Sequence, residues 1–61
     1  MKFKKYMMFT NKKGQNFVIE GFNDENIVLC NSHPNSNLCL VLSEEEIEKM
    51  LRDEGWKLLD N

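Results

Sequence analysis

Ile27-Val28-Leu29-Cys30, the loop Asn31-Ser32-His33-Pro34-Asn35-Ser36-Asn37, and Leu38-Cys39-Leu40-Val41-Leu42 running into Ser43-Glu44-Glu45-Glu46-Ile47 decide the fold. The two apolar runs are too short for helices, and an Asn-, Ser- and Pro-rich segment divides them. They read as paired strands. Ser43 and Glu46 have the spacing of a capping box, and Leu42 and Ile47 that of a hydrophobic staple. A strand therefore leads directly into a helix. Glu44, Glu45 and Glu46 suit the positive end of the helix dipole. Glu45–Lys49 and Glu48–Arg52 are spaced as favourable pairs. Gly55 supplies the stop. Ile47, Met50 and Leu51 form one narrow apolar stripe.

Outward from this segment, residues 15–22 (Gln-Asn-Phe-Val-Ile-Glu-Gly-Phe) and the aromatic-rich residues 2–10 read as two more strands. Asn11-Lys12-Lys13-Gly14 and Asn23-Asp24-Glu25-Asn26 are the turns that separate them. Trp56-Lys57-Leu58-Leu59 returns to extended chain, with a short fifth strand as an option. The expected fold is α+β in a single small domain, residues 1–61. It has a four-stranded antiparallel meander, open or curled into a barrel-like form, followed by one C-terminal helix and a short extended tail.

Turn lengths suggest registers. A loop at Asn11–Gly14 sets Thr10 opposite Gln15 and Lys5 opposite Glu20. A tip at Asp24-Glu25 sets Phe22 opposite Ile27 and Gly21 opposite Val28. For the third hairpin, Cys30 is taken as an assumption to face Cys39. Alternation then sorts the side chains. One face carries Phe3, Met7, Phe9, Val18, Phe22, Ile27, Leu29, Leu38, Leu40 and Leu42. The other carries Tyr6, Met8, Phe17, Ile19, Val28, Cys30, Cys39 and Val41. Both are apolar, whereas a half-solvated antiparallel sheet alternates. A helix of about eleven residues spans roughly 16 Å and covers one face only. The second face is thus expected to associate, with Tyr6, Met8, Phe17, Ile19 and Val41 as its contact residues.

Composition sets further bounds. The 61 residues are 41% apolar and 30% charged, which excludes a disordered chain. Seven leucines and four each of Met and Phe, with no alanine, give large apolar volume to a chain that can hold only one small core. Domains this short usually need a disulfide, a metal or association. No apolar run approaches the roughly 20 residues of a membrane span. Met1-Lys2-Phe3-Lys4-Lys5 leads into no signal-like stretch, so a cytoplasmic location is expected. Abundant Lys and Asn over Arg suggest a bacterial or phage genome. Five lysines and no acid lie in residues 1–13, while residues 14–61 carry all ten acids.

Candidate chemistry is sparse. Cys30, His33 and Cys39 supply three of the four ligands a structural zinc site needs, so no metal is assigned. A Cys30–Cys39 bridge is geometrically conceivable across a hairpin. Reducing cytosol is expected to keep both as thiols instead. One His without an orienting acid gives no nucleophile–base set. Gly14, Gly21 and Gly55 are isolated, so no phosphate loop exists. Neither an enzyme nor a cofactor is expected. Three binding readings remain. The leading one is a non-catalytic protein-interaction or regulatory module, a homo-oligomer or a docking unit for another protein. The second is nucleic-acid binding through Lys4, Tyr6, Lys12 and Lys13, where lysines interleave with aromatics. The third is a small phage-type inhibitor whose acidic helix (Glu44, Glu45, Glu46, Glu48, Asp53, Glu54) occupies a basic groove.

Overall fold

A computed structural model describes residues 2–59. It contains β1 (Met8–Thr10), β2 (Asn16–Asn23), β3 (Asn26–Asn31), β4 (Cys39–Leu42), α1 (Glu44–Asp53) and β5 (Lys57–Leu59). The strands form one antiparallel sheet in the order β4-β3-β2-β1-β5. The extended tail is thus a fifth strand on β1. The sheet is open, with β4 and β5 at its two edges, and does not close into the barrel-like form. The helix carries the chain from one edge to the other.

The helix begins as its sequence requires. Ser43 Oγ accepts from the Glu46 N–H at 3.1 Å, and Glu46 Oε1 accepts from the Ser43 N–H at 2.9 Å. At the other end Gly55 adopts φ 78, a left-handed conformation that costs glycine little. The expected i, i+4 ion pairs do not form among the described residues. Glu48 instead meets Lys2 at 2.7 Å, and Arg52 meets its neighbour Asp53 at 3.3 Å. The Lys2 ammonium is held above its ordinary range, chiefly by its hydrogen bond to Glu48 and then by that residue's charge. A raised lysine pKa gives stability that is present below the unfolded value and lost as pH rises through the folded one. The lysine's contribution is therefore present at neutral pH and is lost in strong alkali, as the ammonium gives up its proton.

Ile47 and Met50 bury against Phe3, Phe9, Phe17, Ile19, Ile27 and Leu29, with Leu40, Leu42, Leu51 and Trp56 packed around them. Phe9 meets Phe3 edge-to-face at 5.9 Å, and Phe17 lies 4.9 Å from Trp56. Such aromatic pairs add to simple area burial. Phe17 and Ile19 are 3% and 0% exposed. They belong to the covered face, not to the open one where the turn-length reading set them.

Three local features explain that correction. First, Gly14 sits at φ 82 and donates to the Asn11 carbonyl, while Asn11 donates to Gln15. Gly14 is an extra residue after a tight turn, a glycine bulge. Thr10 therefore pairs with Asn16 and Phe9 with Phe17. This is one residue away from the register inferred from loop length, and a one-residue slip turns a strand over. Second, β2 bulges between Ile19 and Gly21, which keeps Ile19, Phe22, Ile27 and Leu29 on one side. Third, β1 starts only at Met8. The chain turns at Lys4–Met7, with Tyr6 at φ 76, so Phe3 folds back into the core and Lys5 does not face Glu20. The other two registers are as expected: Phe22 opposite Ile27, inferred from its turn, and Cys30 opposite Cys39, assumed for the third hairpin.

Replacing Gly14 with Ala forces a side chain into a left-handed position and should cost about 1 kcal/mol. Ser43→Ala removes the cap and should cost a similar ~1 kcal/mol. Either change should lower the melting temperature by roughly 4–8 °C, measured by circular dichroism.

Candidate functional site

The face away from α1 is built by strand register. Leu59 of β5 lies beside Met8 of β1, Met8 beside Val18 of β2, Val18 beside Cys30 of β3, and Cys30 beside Cys39 of β4. One apolar row thus crosses all five strands. A second row, Gly21, Val28 and Val41, lies next to it on β2, β3 and β4. On the other side of the first row the same face turns polar at Lys57, Thr10 and Asn16. None of these residues joins the helix-side core, and no described element lies over them. Val41 is 54% exposed, and Met8, Val18 and Val28 are part-exposed. Of the residues expected to bind a partner, Met8 and Val41 lie on this face, and Tyr6 is exposed at the turn before β1. Phe17 and Ile19 do not reach the surface.

Cys30 and Cys39 are joined as a disulfide, which corrects the expectation of two thiols. The bridge follows from register. Asn31 N–H donates to the Leu38 carbonyl, so Cys30 and Cys39 are a non-hydrogen-bonded pair, the closer kind in an antiparallel ladder. Their Cα atoms are 4.0 Å apart. The bridge pins edge strand β4 to central strand β3 and adds its sulfurs to the apolar row. It removes both cysteines from any metal set and leaves His33 no thiol to activate. His33 is exposed, and its Nδ1 accepts from the Asn35 N–H at 3.1 Å. The hollow it lines with Gly14, Gln15, Asn16, Asn31, Ser32 and Ser36 holds amides, hydroxyls and this imidazole, with no carboxylate, ammonium or guanidinium. Among the described residues, no three His, Cys, Asp or Glu side chains converge as metal ligands.

The lysine–aromatic residues do not form one compact patch. Lys4 and Tyr6 lie before β1, with Lys5 Nζ 5.1 Å from the Tyr6 ring centre. Lys12 and Lys13 lie in the turn after it. The two groups stand at opposite ends of the three-residue strand β1. On the helix, Glu46 is used by the cap, Glu48 by Lys2 and Asp53 by Arg52. No helix is long and apolar enough to cross a membrane. Comparison with protein-family models, with curated proteins and with solved structures found no match.

Sequence reasoning found the hairpin that carries the bridge but not the row that contains it. The row depends on the glycine bulge. Asn11 followed by Gly14 was the available signal for it, because an Asn-led turn with Gly three residues on commonly closes in this way.

Closing the ten-residue segment Cys30–Cys39 should stabilise the fold by about 2–3 kcal/mol on the chain-entropy account. Reduction with a dithiol should lower the melting temperature by on the order of 10 °C or more. The measurement is a thermal melt with and without reductant.

Proposed function

We propose that this protein is a non-catalytic interaction module, of bacterial or phage origin, whose open sheet face docks on another protein or on a second copy. The observation that carries the reading is the apolar row from Leu59 to Cys39, with Val28 and Val41 beside it and no described element over it. Contiguous apolar patches of this kind are uncommon on monomers and mark interaction sites. The helix packs on the opposite face, and no described element covers this one. A cytoplasmic setting belongs to this reading with the Cys30–Cys39 bridge opened, since glutathione keeps cytosolic thiols reduced. An oxidising compartment keeps it closed.

The test places a charge at the middle of the surface. Val28→Lys should fold with a similar melt, because its stem can lie along the sheet with the ammonium in water. Wild type should associate at about 0.5 M salt, where exposed charges are largely screened. Val28→Lys should do so at least about tenfold more weakly, a loss of roughly 1.4 kcal/mol. Identical behaviour of the two proteins in sedimentation and in partner capture would overturn the reading.

A second reading, nucleic-acid binding, draws support from Tyr6. Its backbone is left-handed at φ 76 and its side chain is 68% exposed, so it costs backbone energy and adds nothing to the core. An exposed ring beside Lys4 and Lys5 suits base stacking. Tyr6→Gly should melt higher, by up to about 1 kcal/mol of stability. On this reading it should also lose affinity for a single-stranded oligonucleotide, in a reaction that weakens steeply with salt. Wild type that fails to bind oligonucleotide at low salt would remove this alternative.

A further inference from the structure

We infer that two copies of this chain pair along β4, edge to edge and antiparallel, into a ten-stranded sheet with Leu40 on the two-fold axis. The inference goes beyond the face reading, because edge pairing leaves the open face uncovered and doubles its width.

The backbone phase of β4 supplies the argument. Asn31 donates to Leu38, and Leu40 and Leu42 stand opposite Leu29 and Ile27. Antiparallel alternation therefore turns the N–H and C=O of Leu40 and Leu42 toward β3 and those of Cys39 and Val41 outward. Each copy presents two donors and two acceptors with no partner among the described residues. Set antiparallel about Leu40, Cys39 of one copy meets Val41 of the other, and four hydrogen bonds satisfy all eight groups. The neighbouring Ser43 N–H is already held by Glu46, which ends the available edge at Leu42.

The side chains fit the same register. Leu38 and Val41, 52% and 54% exposed, are two of the large apolar residues left in water. Pairing sets Leu38 opposite Leu42 of the other copy on the helix side. It sets Val41 opposite Cys39 on the open side. From Ser36 to Ser43 the chain carries no ionised side chain, no proline and no bulge, so nothing repels an identical strand. Edges that must stay single carry such guards. The opposite edge, β5, is three residues long and carries Lys57. A second copy satisfies this edge with its own identical groups, and the two-fold contact closes at a dimer instead of growing into a fibre. Strand-edge contacts are at the small end of interface sizes, so the dimer forms and separates with concentration.

The test uses the whole chain with its bridge intact. Sedimentation should show the mass doubling as concentration rises. Val41→Pro removes an outward N–H that has no partner among the described residues, and should remain folded and stay at the mass of one chain. Val28→Lys, on the face, should still double, because its tenfold weakening applies to contacts made by the face and not to those made by the β4 edge. Hydrogen exchange on wild type gives a readout that needs no variant: the Cys39 and Val41 amides should gain protection with concentration. Loss of doubling in Val28→Lys but not in Val41→Pro, without protection of those amides, would overturn edge pairing and uphold the face reading. Wild type that keeps the mass of one chain at millimolar concentration, with both amides exchanging freely, would overturn the edge dimer and leave the face reading to its own test.

Discussion

Gly14, at φ 82, decides which side of β1 meets the core. The extra residue it introduces after the Asn11 turn moves Phe9 opposite Phe17 and Met8 opposite Val18. Without it, β1 would present Met8 to the helix and Phe9 to water. Phe3, which packs edge-to-face on Phe9, would lose its partner. The bulge in β2 completes the arrangement by keeping Ile19 and Phe22 on the side of Ile27 and Leu29. Two single-residue irregularities thus collect the large aromatic and branched side chains on one face and leave Met8, Val18, Val28 and the cystine on the other.

Much of the fold is legible in the residues, and the parts that are not share a cause. Local chemistry announces the helix: Ser43 and Glu46 make the capping box that the spacing implies, and Ile47 and Met50 bury. The Phe22–Ile27 pairing follows from turn length because that turn adds no residue to the ladder, and the Cys30–Cys39 pairing, an assumption across a longer loop, is the one found. The first hairpin fails the same arithmetic because a bulge changes the count by one while leaving composition unchanged. Strand periodicity is two, so an error of one is the largest possible error of face. That is why Phe17 and Ile19 were assigned to the surface while Met8 and Val41, on the same list, do lie there. The turn at Lys4–Met7 is hidden for a different reason. It contains no Gly, Pro or Asn, and it sets Tyr6 in a conformation that sequence statistics disfavour.

The disulfide and the open face belong to one problem of size. A chain of 61 residues has one helix to lay over one side of its sheet, and small domains gain little from the core alone. The bridge compensates by holding the β4 edge to the middle of the sheet. It does so on the uncovered side, where packing contributes least. The apolar row and the covalent closure within it lie on the same strands. A change in thiol state would therefore alter the stability of β4, where both the face and the free edge end.

The charge asymmetry of the sequence has a plainer outcome than binding. Lys2 of the basic end meets Glu48 of the acidic helix, so part of the separation along the chain is cancelled in space. The pair is exposed, and exposed pairs add little to stability. It ties the segment carrying Phe3 to the helix that covers Phe3, a positional role. What the charges leave undisturbed is the stretch from Ser36 to Ser43 and the row it joins, neither of which carries an ionised group until Lys57 at the far polar margin. Among the described residues the charges lie on the helix, in the turns and terminal segments, on one edge, and at Glu20 in the bulge of β2. The uncharged remainder is a continuous surface of backbone hydrogen-bonding groups and apolar side chains, and an identical or complementary strand satisfies both at once.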